Sequence, residues 1–476
     1  MKSIISYKPY DILRLCVLAI FPLLSSQALL AQDAEMADST TADSAPPVIP
    51  VNPQTPQAQN NLRFPEQIQR KKLQDRQKVF ALGEGRADVT DTIVRSLMNV
   101  FYTDQFRSFQ DPEAPYFMLM SKDAHLAMGV GGLLTLRGWY DWHGVVPDVF
   151  YSPYNIPIPV NPARNHELRA SAANTGFYLT LLGRKTVIGD FFAYIEGGFR
   201  GYNRVDFRLR RAYIIVKGFT AGYALTTFLD VGALPPSVDD GTPNGTVDRA
   251  NILLRYRHNF KKGWSVAGAL EFPSTTIADK DNNTEACTPF LPDVAAFGQY
   301  QWDEGYSHIR LSGLLRTLSY RNLIEKHNIN KIGWGVALSG MVKIIPNLTL
   351  YGSAIYGAGH NGYLGDLSYG EHDLVEIAGK PGELQVPRAF SYLAGFKYNF
   401  KPELYVTGSF SQIMNYEDKP ADPEGYRYGL CGNVNMFWEI TPRLNIGGGY
   451  IVGRRKNFDG TSGTSHRIEA LMQLSF

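Results

Sequence analysis

Apolar and polar residues alternate with a period of two along the chain from about residue 124 to the end. One clear segment reads VDFRLRRAYIIVKGFTAGYALTTFLD (residues 205–230). In its first half, one face is largely apolar and carries Phe207, Leu209, Arg211, Tyr213 and Ile215. The other face is largely polar and carries Asp206, Arg208, Arg210 and Ala212. Farther along, Ile252, Leu254 and Tyr256 alternate in the same way with Asn251, Arg255 and Arg257. A period of two is that of a β-strand.

Strands of this kind occur in soluble sheets as well as in membrane barrels, so the connections between them matter. Seven short reversals lie near residues 183–185, 217–219, 261–263, 302–305, 345–347, 401–403 and 441–443. Eight polar or Gly/Pro-rich stretches, mostly longer, lie near residues 143–167, 201–205, 230–247, 273–293, 319–329, 358–387, 414–425 and 455–464. Short turns at one end and long loops at the other are typical of a transmembrane β-barrel. The sequence therefore predicts an all-β fold, a transmembrane antiparallel β-barrel of about sixteen strands.

The strand count also predicts what the barrel encloses. Barrels of about 16 to 18 strands leave an aqueous channel unless a loop or plug enters it. The last strand, HRIEALMQLSF, alternates regularly and ends on Phe476. A terminal aromatic residue resembles the signal read by the barrel-assembly machinery of the outer membrane.

The N-terminal part predicts export followed by a non-barrel extension. Lys2 and Lys8 precede an apolar run and small residues, which indicates a signal peptide over residues 1–31. Residues 32–63 are polar and predict a disordered linker. A periplasmic extension over residues 64–123 then contains a short helix from Asp91 to Phe106, and the barrel occupies residues 124–476. That helix either docks at the periplasmic mouth or forms part of a plug.

Charge and reactive residues narrow the function. The formal net charge of +2 gives no reason to expect nucleic acid as a partner. His125, His308 and His466 are isolated, and neither the cysteines nor the serines form a catalytic or metal-binding motif, so we expect neither an enzyme nor a cofactor. Cys287 and Cys431 remain after export, and sequence alone leaves a disulfide between them open.

Arginine is frequent on the polar faces of the predicted strands and near their outer ends. We expect ten arginines to line the solute pathway: Arg137, Arg200, Arg204, Arg208, Arg210, Arg249, Arg255, Arg257, Arg310 and Arg316. A guanidinium stays charged and presents a planar fork to a carboxylate, so such a wall favours anions. The alternative is that these arginines only solvate the wall, balanced by Glu196, Asp206 and Glu271.

The stretch from Val231 to Val247 is a candidate constriction loop. Pro235 and Pro236 stiffen it, and Asp239 and Asp240 would set carboxylates against the arginines if it folds inward. The alternative is an ordinary exposed loop.

These residues carry a resemblance to a known family. The segments RLRRAYIIVKGFTAGYALTTFLDVGALPPSVDDGTPNG, LLRYRHNF and RLNIGGGYIVGRRKNFDGTSGTSHRIEALMQLSF resemble the DcaP-like outer-membrane porins over residues 116–476. The resemblance implies a sixteen-stranded trimeric channel for small anionic solutes, with Arg208 and Arg210 on its arginine strand and Pro235 to Asp240 in its constriction. Leu229 stands where the family usually has Met, and the N-terminal extension lacks a clear heptad.

We therefore expect an outer-membrane porin that passes small hydrophilic, preferably anionic solutes by diffusion. Its expected partners are outer-membrane lipid, the solutes, the barrel-assembly machinery and two further copies in a homotrimer. A closed barrel that acts as a surface-binding or structural protein is the first alternative, and an outer-membrane enzyme is the second.

Overall fold

The computed structural model describes most of the barrel region and two short N-terminal segments. The described residues are 78–82, 117–121, 125–143, 145, 150–201, 206–260, 263–303, 306–370, 372–441 and 443–476. The predicted signal peptide, linker and helix from Asp91 to Phe106 lie outside them, as does Arg204.

Sixteen strands follow one another along the chain, and each pairs antiparallel with its neighbours in sequence. They are β1 (Leu126–Trp142), β2 (Gly176–Thr186), β3 (Gly189–Arg200), β4 (Asp206–Val216), β5 (Phe219–Leu225), β6 (Ala250–Asn259), β7 (Trp264–Glu271), β8 (Asp293–Trp302), β9 (Ser307–Asn322), β10 (His327–Ile345), β11 (Leu348–Ala358), β12 (Arg388–Lys401), β13 (Leu404–Tyr416), β14 (Tyr426–Glu439), β15 (Leu444–Asn457) and β16 (Ser462–Ser475). Strand β16 returns to pair with β1, from His466 opposite Trp142 to Ser475 opposite Leu133. The barrel is therefore closed, which confirms the predicted fold class and strand number.

Side chains alternate between the two faces of the wall as the sequence pattern predicts. On β1, Leu134 and Leu136 are exposed on the outer face, whereas Thr135, Arg137 and Asp141 are buried inside. The last strand behaves alike, with Ile468 outside and Arg467 inside. Because the barrel is closed, no sheet edge is left with unpaired backbone N–H and C=O groups. An apolar outer face is then sufficient for the wall to lie in lipid.

The connections follow the prediction with three corrections. The stretch at 455–464, predicted as a loop, is strand up to Asn457 and again from Ser462, and the turn spans only residues 458–461. The first short reversal lies at Val187 and Ile188, because residues 183–185 still belong to β2. The stretch at 319–329, predicted as a loop, is mostly strand: Asn322 pairs with His327, and the turn spans only residues 323–326. There the strands extend beyond the apolar zone, so polar side chains on both faces hide the alternation.

The eight outer connections are named L1 to L8 in chain order: L1 (residues 143–175), L2 (201–205), L3 (226–249), L4 (272–292), L5 (323–326), L6 (359–387), L7 (417–425) and L8 (458–461). Short strands occur within three of them. Glu167–Ser171 in L1 pairs with β1, and Thr284–Ala286 in L4 pairs with β9. Ile277–Ala278 of L4 forms a three-stranded sheet with Leu374–Ile377 and Lys380–Gln385 of L6.

At the opposite end of the barrel, two short segments lie beside β1. Lys78–Leu82 pairs in parallel with Phe117–Ser121, which in turn pairs with residues 127–130 of β1. No helix within the described ranges is long and apolar enough to cross a membrane.

A charged residue in the middle of the outer face tests the orientation of the wall. Leu311 on β9 is 58% exposed and pairs with Leu338 on β10. We expect Leu311→Arg to lower the free energy of unfolding in lipid vesicles by about 2–4 kcal/mol, the cost of arginine near a bilayer midplane. Chemical denaturation of Leu311→Ala gives the matched control, because it removes the same side chain without adding a charge. Equal losses for the two variants would contradict the assignment of this face to lipid.

Candidate functional site

The candidate site is the barrel interior, which the loop L3 crosses. L3 leaves the wall at β5 and touches the opposite wall, where the Thr407 hydroxyl on β13 donates a 2.7 Å hydrogen bond to the Pro236 carbonyl. The amide of Val238 donates to the Asn435 side chain on β14 at 3.3 Å. Pro235, Pro236 and Asp239 are buried, and Asp240 remains exposed. The loop thus lies inside the barrel, the inward one of the two orientations left open by the sequence.

The beginning of L3 is fixed by a wall carboxylate. Glu271 on β7 accepts hydrogen bonds from the Thr226 hydroxyl at 2.7 Å, the Thr227 amide at 2.7 Å and the Asn251 side-chain amide at 2.8 Å. Arg255 on β6 donates to the Leu225 carbonyl and to the Thr227 hydroxyl, the latter at 2.9 Å. Glu271, considered a balancing acid from the sequence, therefore holds the loop that narrows the interior.

A second carboxylate ties L3 to the wall a few residues later. Asp230 lies 2.9 Å from His308 Nε2, 2.6 Å from the Ser339 hydroxyl and 3.9 Å from Arg310 Nε. Arg310 also donates to the Leu229 carbonyl at 2.8 Å. Burial alone would raise the pKa of Asp230, but Arg310 and His308 hold it well below its usual range. The carboxylate is therefore charged and paired.

The tip of L3 is held by two adjacent aspartates. Asp239 accepts the Tyr151 amide of L1 at 3.0 Å and lies 3.3 Å from Arg467 Nη1 of β16. Asp240 accepts a hydrogen bond from the Asn174 side chain and lies 3.8 Å from Arg137 Nη2. Both carboxylates of the predicted constriction are thus already in contact with partners on the wall or in L1.

Three loops meet at a single carboxylate, Asp366 of L6. It accepts hydrogen bonds from the Ser152 hydroxyl of L1 at 2.7 Å, the Asn244 side chain of L3 at 2.6 Å and the Tyr426 hydroxyl of β14 at 2.7 Å. Burial raises the pKa of Asp366, and these hydrogen bonds oppose the rise. We call these four residues the loop junction.

L6 is fixed to the wall by Arg316 of β9. This side chain is almost fully buried and reaches Asp373 at 2.5 Å, Asp293 at 2.8 Å and the Gly359 carbonyl at 2.7 Å. Asp373 also accepts the Gly362 amide at 2.9 Å. One arginine therefore joins the start of L6, a residue in its middle and the wall.

Two histidines of L6 are packed in the same region. Burial, together with the nearby Arg316, lowers the pKa of His360 to about 4. Burial and Arg455 lower the pKa of His372 to about 4 as well. Both rings are therefore neutral near neutral pH, which allows them to lie beside arginines within the loop.

Nine of the ten arginines predicted for the pathway lie among the described residues, and they fall into two groups. In the first, the side chain contacts a loop: Arg310, Arg316, Arg255 and Arg137 do so from the wall, and Arg249 donates to the Gly362 and Ser274 carbonyls at 2.9 and 3.2 Å. We call these five the anchoring arginines.

The second group lies on the wall of β3, β4 and β6. Arg208 is 64% exposed and lies 3.7 Å from the exposed Asp206. Arg210 is 30% exposed and lies 3.0 Å from Glu196. Arg257 donates to Asn259 at 3.1 Å, and the Arg200 guanidinium lies 5.0 Å from the Phe150 ring centre. We call Arg200, Arg208, Arg210 and Arg257 the wall arginines.

Sequence reasoning assigned Arg211 to the apolar face, and the structure corrects this. A β-bulge on β4 pairs Glu196 with Arg211 and Gly197 with Leu209, and Arg210 is the extra residue of the bulge. The extra residue shifts the alternation by one position. Arg211 is consequently buried, 3.6 Å from Glu196, and Tyr213 contacts the inward-facing ring of Tyr194. The available signal in the sequence was the pair of consecutive arginines, Arg210 and Arg211, on the strand that follows the one carrying Glu196.

Arg467 was seen as polar from the alternation of the last strand but was not proposed for the site. It binds both oxygens of Asp141, at 2.6 and 3.0 Å, in addition to Asp239. It therefore links β16, β1 and the tip of L3. Its partners are so far away in sequence that no local pattern identifies them.

The other reactive residues have ordinary surroundings. Cys431 is buried in β14 and Cys287 lies in L4, and both are free thiols rather than a disulfide. Within the described ranges, no group of His, Cys, Asp and Glu is arranged to hold a metal ion.

The two groups of arginines make different predictions when shortened. We expect Arg316→Met to destabilise L6 by about 3–5 kcal/mol, because it leaves the buried carboxylates of Asp293 and Asp373 without their partner. Limited proteolysis of the folded protein should then cut within residues 359–387. Arg208→Met is the matched control. The Arg208 side chain is exposed, so its removal leaves no buried carboxylate without a partner. Protection of L6 in both variants would contradict the anchoring role.

Comparison with known proteins agrees with this architecture. The crystal structure of the outer membrane channel DcaP of Acinetobacter baumannii is similar to this chain, with a TM-score of 0.65 and 20% sequence identity over 74% of this chain and 98% of that chain. At this identity the likeness shows the fold alone.

Two further solved structures are less similar to this chain. An anion-selective porin from Comamonas acidovorans has 9% identity and a TM-score of 0.49, over 74% of this chain and 100% of that one. A loop L8 deletion mutant of the outer membrane protein OmpT of Vibrio cholerae has 10% identity and a TM-score of 0.48, with the same coverage. No curated protein sequence matches the chain.

The sequence profile of the DcaP outer membrane protein family matches residues 127–476, which include nearly the whole barrel. With the closed sixteen-stranded wall, this match shows that the chain belongs to the DcaP outer membrane protein family and is an outer-membrane barrel with the fold of a porin.

Proposed function

We propose that the chain is a passive channel for small hydrophilic solutes, with a preference for anions, and that it works as a homotrimer in the outer membrane. One observation carries this proposal: the carboxylates of the inward loops already have partners, so they do not neutralise the wall arginines. Asp230, Asp239 and Asp373 are each held by an arginine, and Asp366 by three uncharged donors.

The charges along the inner face of β3 to β6 support an anion preference. This face carries more arginines than carboxylates: Arg200, Arg208, Arg210, Arg211, Arg255 and Arg257 against Asp190, Glu196 and Asp206. Low-dielectric walls strengthen the field of such a strip and concentrate counter-ions beside it. A solute carboxylate would pass from one guanidinium to the next through weak, repeated contacts.

Aromatic rings accompany this charged strip. Tyr178, Phe192 and Tyr194 are buried on the inner face of β2 and β3, with ring centres 5.9 to 6.4 Å apart along the series. Rigid rings give the wall a fixed shape beside the arginines, because they lose little conformational freedom there. In this mechanism L3 sets the width, the wall arginines set the charge preference and no covalent step occurs.

The related structure from Acinetobacter baumannii is described as an outer membrane channel. We propose the same role here, together with the domain division of the sequence analysis: signal peptide 1–31, linker 32–63, periplasmic extension 64–123 and barrel 124–476. Recognition by the barrel-assembly machinery through the strand that ends on Phe476 belongs to the same proposal.

A closed barrel that displays its outer loops is the second candidate, favoured by a specific observation. L3 and L6 pack together through an apolar cluster that contains Phe228, Val247, Tyr363 and Leu367 and continues onto the walls of β8 to β14. A cluster of this size inside a barrel narrows it. Conductance distinguishes the two candidates, since a closed barrel leaves a planar bilayer silent.

The wall arginines provide the functional test. We expect Arg208→Gln with Arg210→Gln to keep open channels but lower the anion-to-cation permeability ratio by about an order of magnitude. A guanidinium close to a hydrated anion contributes about 1 kcal/mol in water-like surroundings, and two are removed. The reversal potential of single channels under a salt gradient measures this ratio.

Arg388→Gln is the control for that experiment, because Arg388 is exposed beside Asp418 at the outer end of β12. It should leave the ratio unchanged. If the double variant conducts with unaltered selectivity, the arginines only solvate the wall. Silence of the unmodified protein at all voltages would favour the closed barrel.

A further inference from the structure

A cationic patch lies on the outside of the barrel, near the ends of β14 and β15 that carry the outer loops. Arg454 and Lys456 alternate with the inward-facing Gly453, Arg455 and Asn457, and Arg455 reaches the Tyr154 carbonyl of L1 at 2.7 Å. Their side chains therefore point away from the interior. Lys456 pairs with Tyr428 at a bulge that leaves Arg427 between two paired residues, and Arg427 is exposed. We call Arg427, Arg454 and Lys456 the rim patch.

Some exposed cations of the outer rim pair with a carboxylate, unlike the rim patch. Lys280 lies 2.7 Å from Asp422, Lys380 lies 2.8 Å from Glu383, and Arg388 lies 2.7 Å from Asp418. None of the ion pairs among the described residues includes a member of the rim patch. Its one side-chain hydrogen bond among the described residues is a 3.4 Å contact from Arg454 to the Ser462 hydroxyl.

One nearby acid already accepts hydrogen bonds within its own turn. Asp459 of L8 accepts the Thr461 amide at 2.9 Å and the Thr461 hydroxyl at 2.6 Å. Three positive charges thus lie on one outward surface, and no ion pair among the described residues includes them. Such charges cost little at the edge of a bilayer, where the penalty for arginine or lysine falls to about 0–1 kcal/mol.

An aromatic belt lies on the neighbouring strands on the same outward face. Tyr140 and Trp142 of β1 pack edge to face with ring centres 4.8 Å apart. The Tyr450 hydroxyl of β15 lies 2.7 Å from His466 Nδ1 of β16. Aromatic residues of this kind mark the headgroup level of a membrane barrel. Farther from the rim the same face is aliphatic and exposed, as at Leu136 and Leu134.

The order along this surface is therefore cations, then amphipathic rings, then aliphatic side chains. An outer-leaflet glycolipid that carries phosphate groups on a sugar headgroup and acyl chains below presents the complementary order. Lysine and arginine bind phosphate oxygens, and clusters of them beside a membrane select anionic headgroups.

We propose that the rim patch is a binding site for the phosphorylated sugar headgroup of an outer-leaflet glycolipid. Arg427, Arg454 and Lys456 hold the phosphates, and the rings of Tyr140, Trp142 and Tyr450 lie against the sugar and the first methylene groups. The site is outside the lumen and does not depend on solute passage.

Native mass spectrometry of the detergent-extracted, fully assembled protein tests this proposal. The probe is a purified diphosphorylated, acylated glucosamine disaccharide, and the same lipid without phosphates is the comparison. The test variant is the triple Arg427→Gln, Arg454→Gln and Lys456→Gln. The control removes the same charge from paired cations of the outer rim: Lys280→Gln, Lys380→Gln and Arg388→Gln.

We expect the test variant to bind the diphosphorylated lipid about a hundredfold more weakly, since each of the three cations near an anionic headgroup contributes about 1 kcal/mol, a factor of about five. The control variant should bind like the unmodified protein, which in turn should bind the phosphate-free lipid as weakly as the test variant does. Unchanged single-channel conductance of the test variant shows that it is folded.

Three results would overturn the proposal. The first is that the test variant still binds the diphosphorylated lipid, and the second is that the unmodified protein binds both lipids equally. The third is that the test variant loses its oligomeric state while lipid binding by the isolated subunit does not depend on the phosphates. That result would make the patch a contact between copies of the chain. Loss of conductance leads instead to repeating the binding measurement with Lys456→Gln alone, for which we expect about a fivefold loss.

Discussion

A buried carboxylate requires a partner, and this requirement determines how the interior of the barrel is organised. The inward loops bring Asp230, Asp239, Asp366 and Asp373 into a region with little water. An unpaired charge there would cost several kcal/mol, and each of these groups is instead held by arginine, histidine, hydroxyl or amide donors. The wall supplies most of these donors. The path of L3 and L6 across the barrel is therefore fixed by charge pairing as well as by the apolar cluster between them.

The same requirement gives one residue type two roles. Arg316 and Arg310 are buried and hold loops, whereas Arg208 is largely exposed and lies 3.7 Å from Asp206. An anchoring arginine is already committed to a carboxylate or a carbonyl and offers little to a passing anion. A wall arginine keeps most of its donors facing the interior. In the proposed mechanism, selectivity therefore depends on the wall arginines, and the width of the passage on the anchoring arginines.

The barrel itself was largely predictable from the sequence, because alternation of side chains is a local property of each strand. The face of β1 that carries Arg137 and Asp141, and that of β16 that carries Arg467, were both visible as a period of two. A bulge breaks this rule without a strong signal, and the single extra residue at Arg210 moved Arg211 from the predicted outer face to the interior. The extension of β9 to Asn322 was hidden for a similar reason, since a strand beyond the membrane is polar on both faces.

The contacts of the candidate site were not predictable, because they join residues far apart in sequence. Arg316 and Asp373 are 57 positions apart, and Arg467 and Asp239 are 228 apart. The sequence indicated that Asp239 and Asp240 were available to meet arginines, but it did not indicate which arginines, nor that Ser152, Asn244 and Asp366 would meet at the loop junction. The nine described arginines with one predicted role consequently divided into two groups once the loops were placed.

The most direct test of this division is an anomalous diffraction map of crystals soaked in bromide or iodide. We expect anion peaks beside Arg200, Arg208 and Arg210 on the wall of β3 and β4, and none between Arg316 and Asp373 or between Arg467 and Asp239. Anion peaks at the anchoring arginines, with the wall of β3 and β4 empty, would contradict the account.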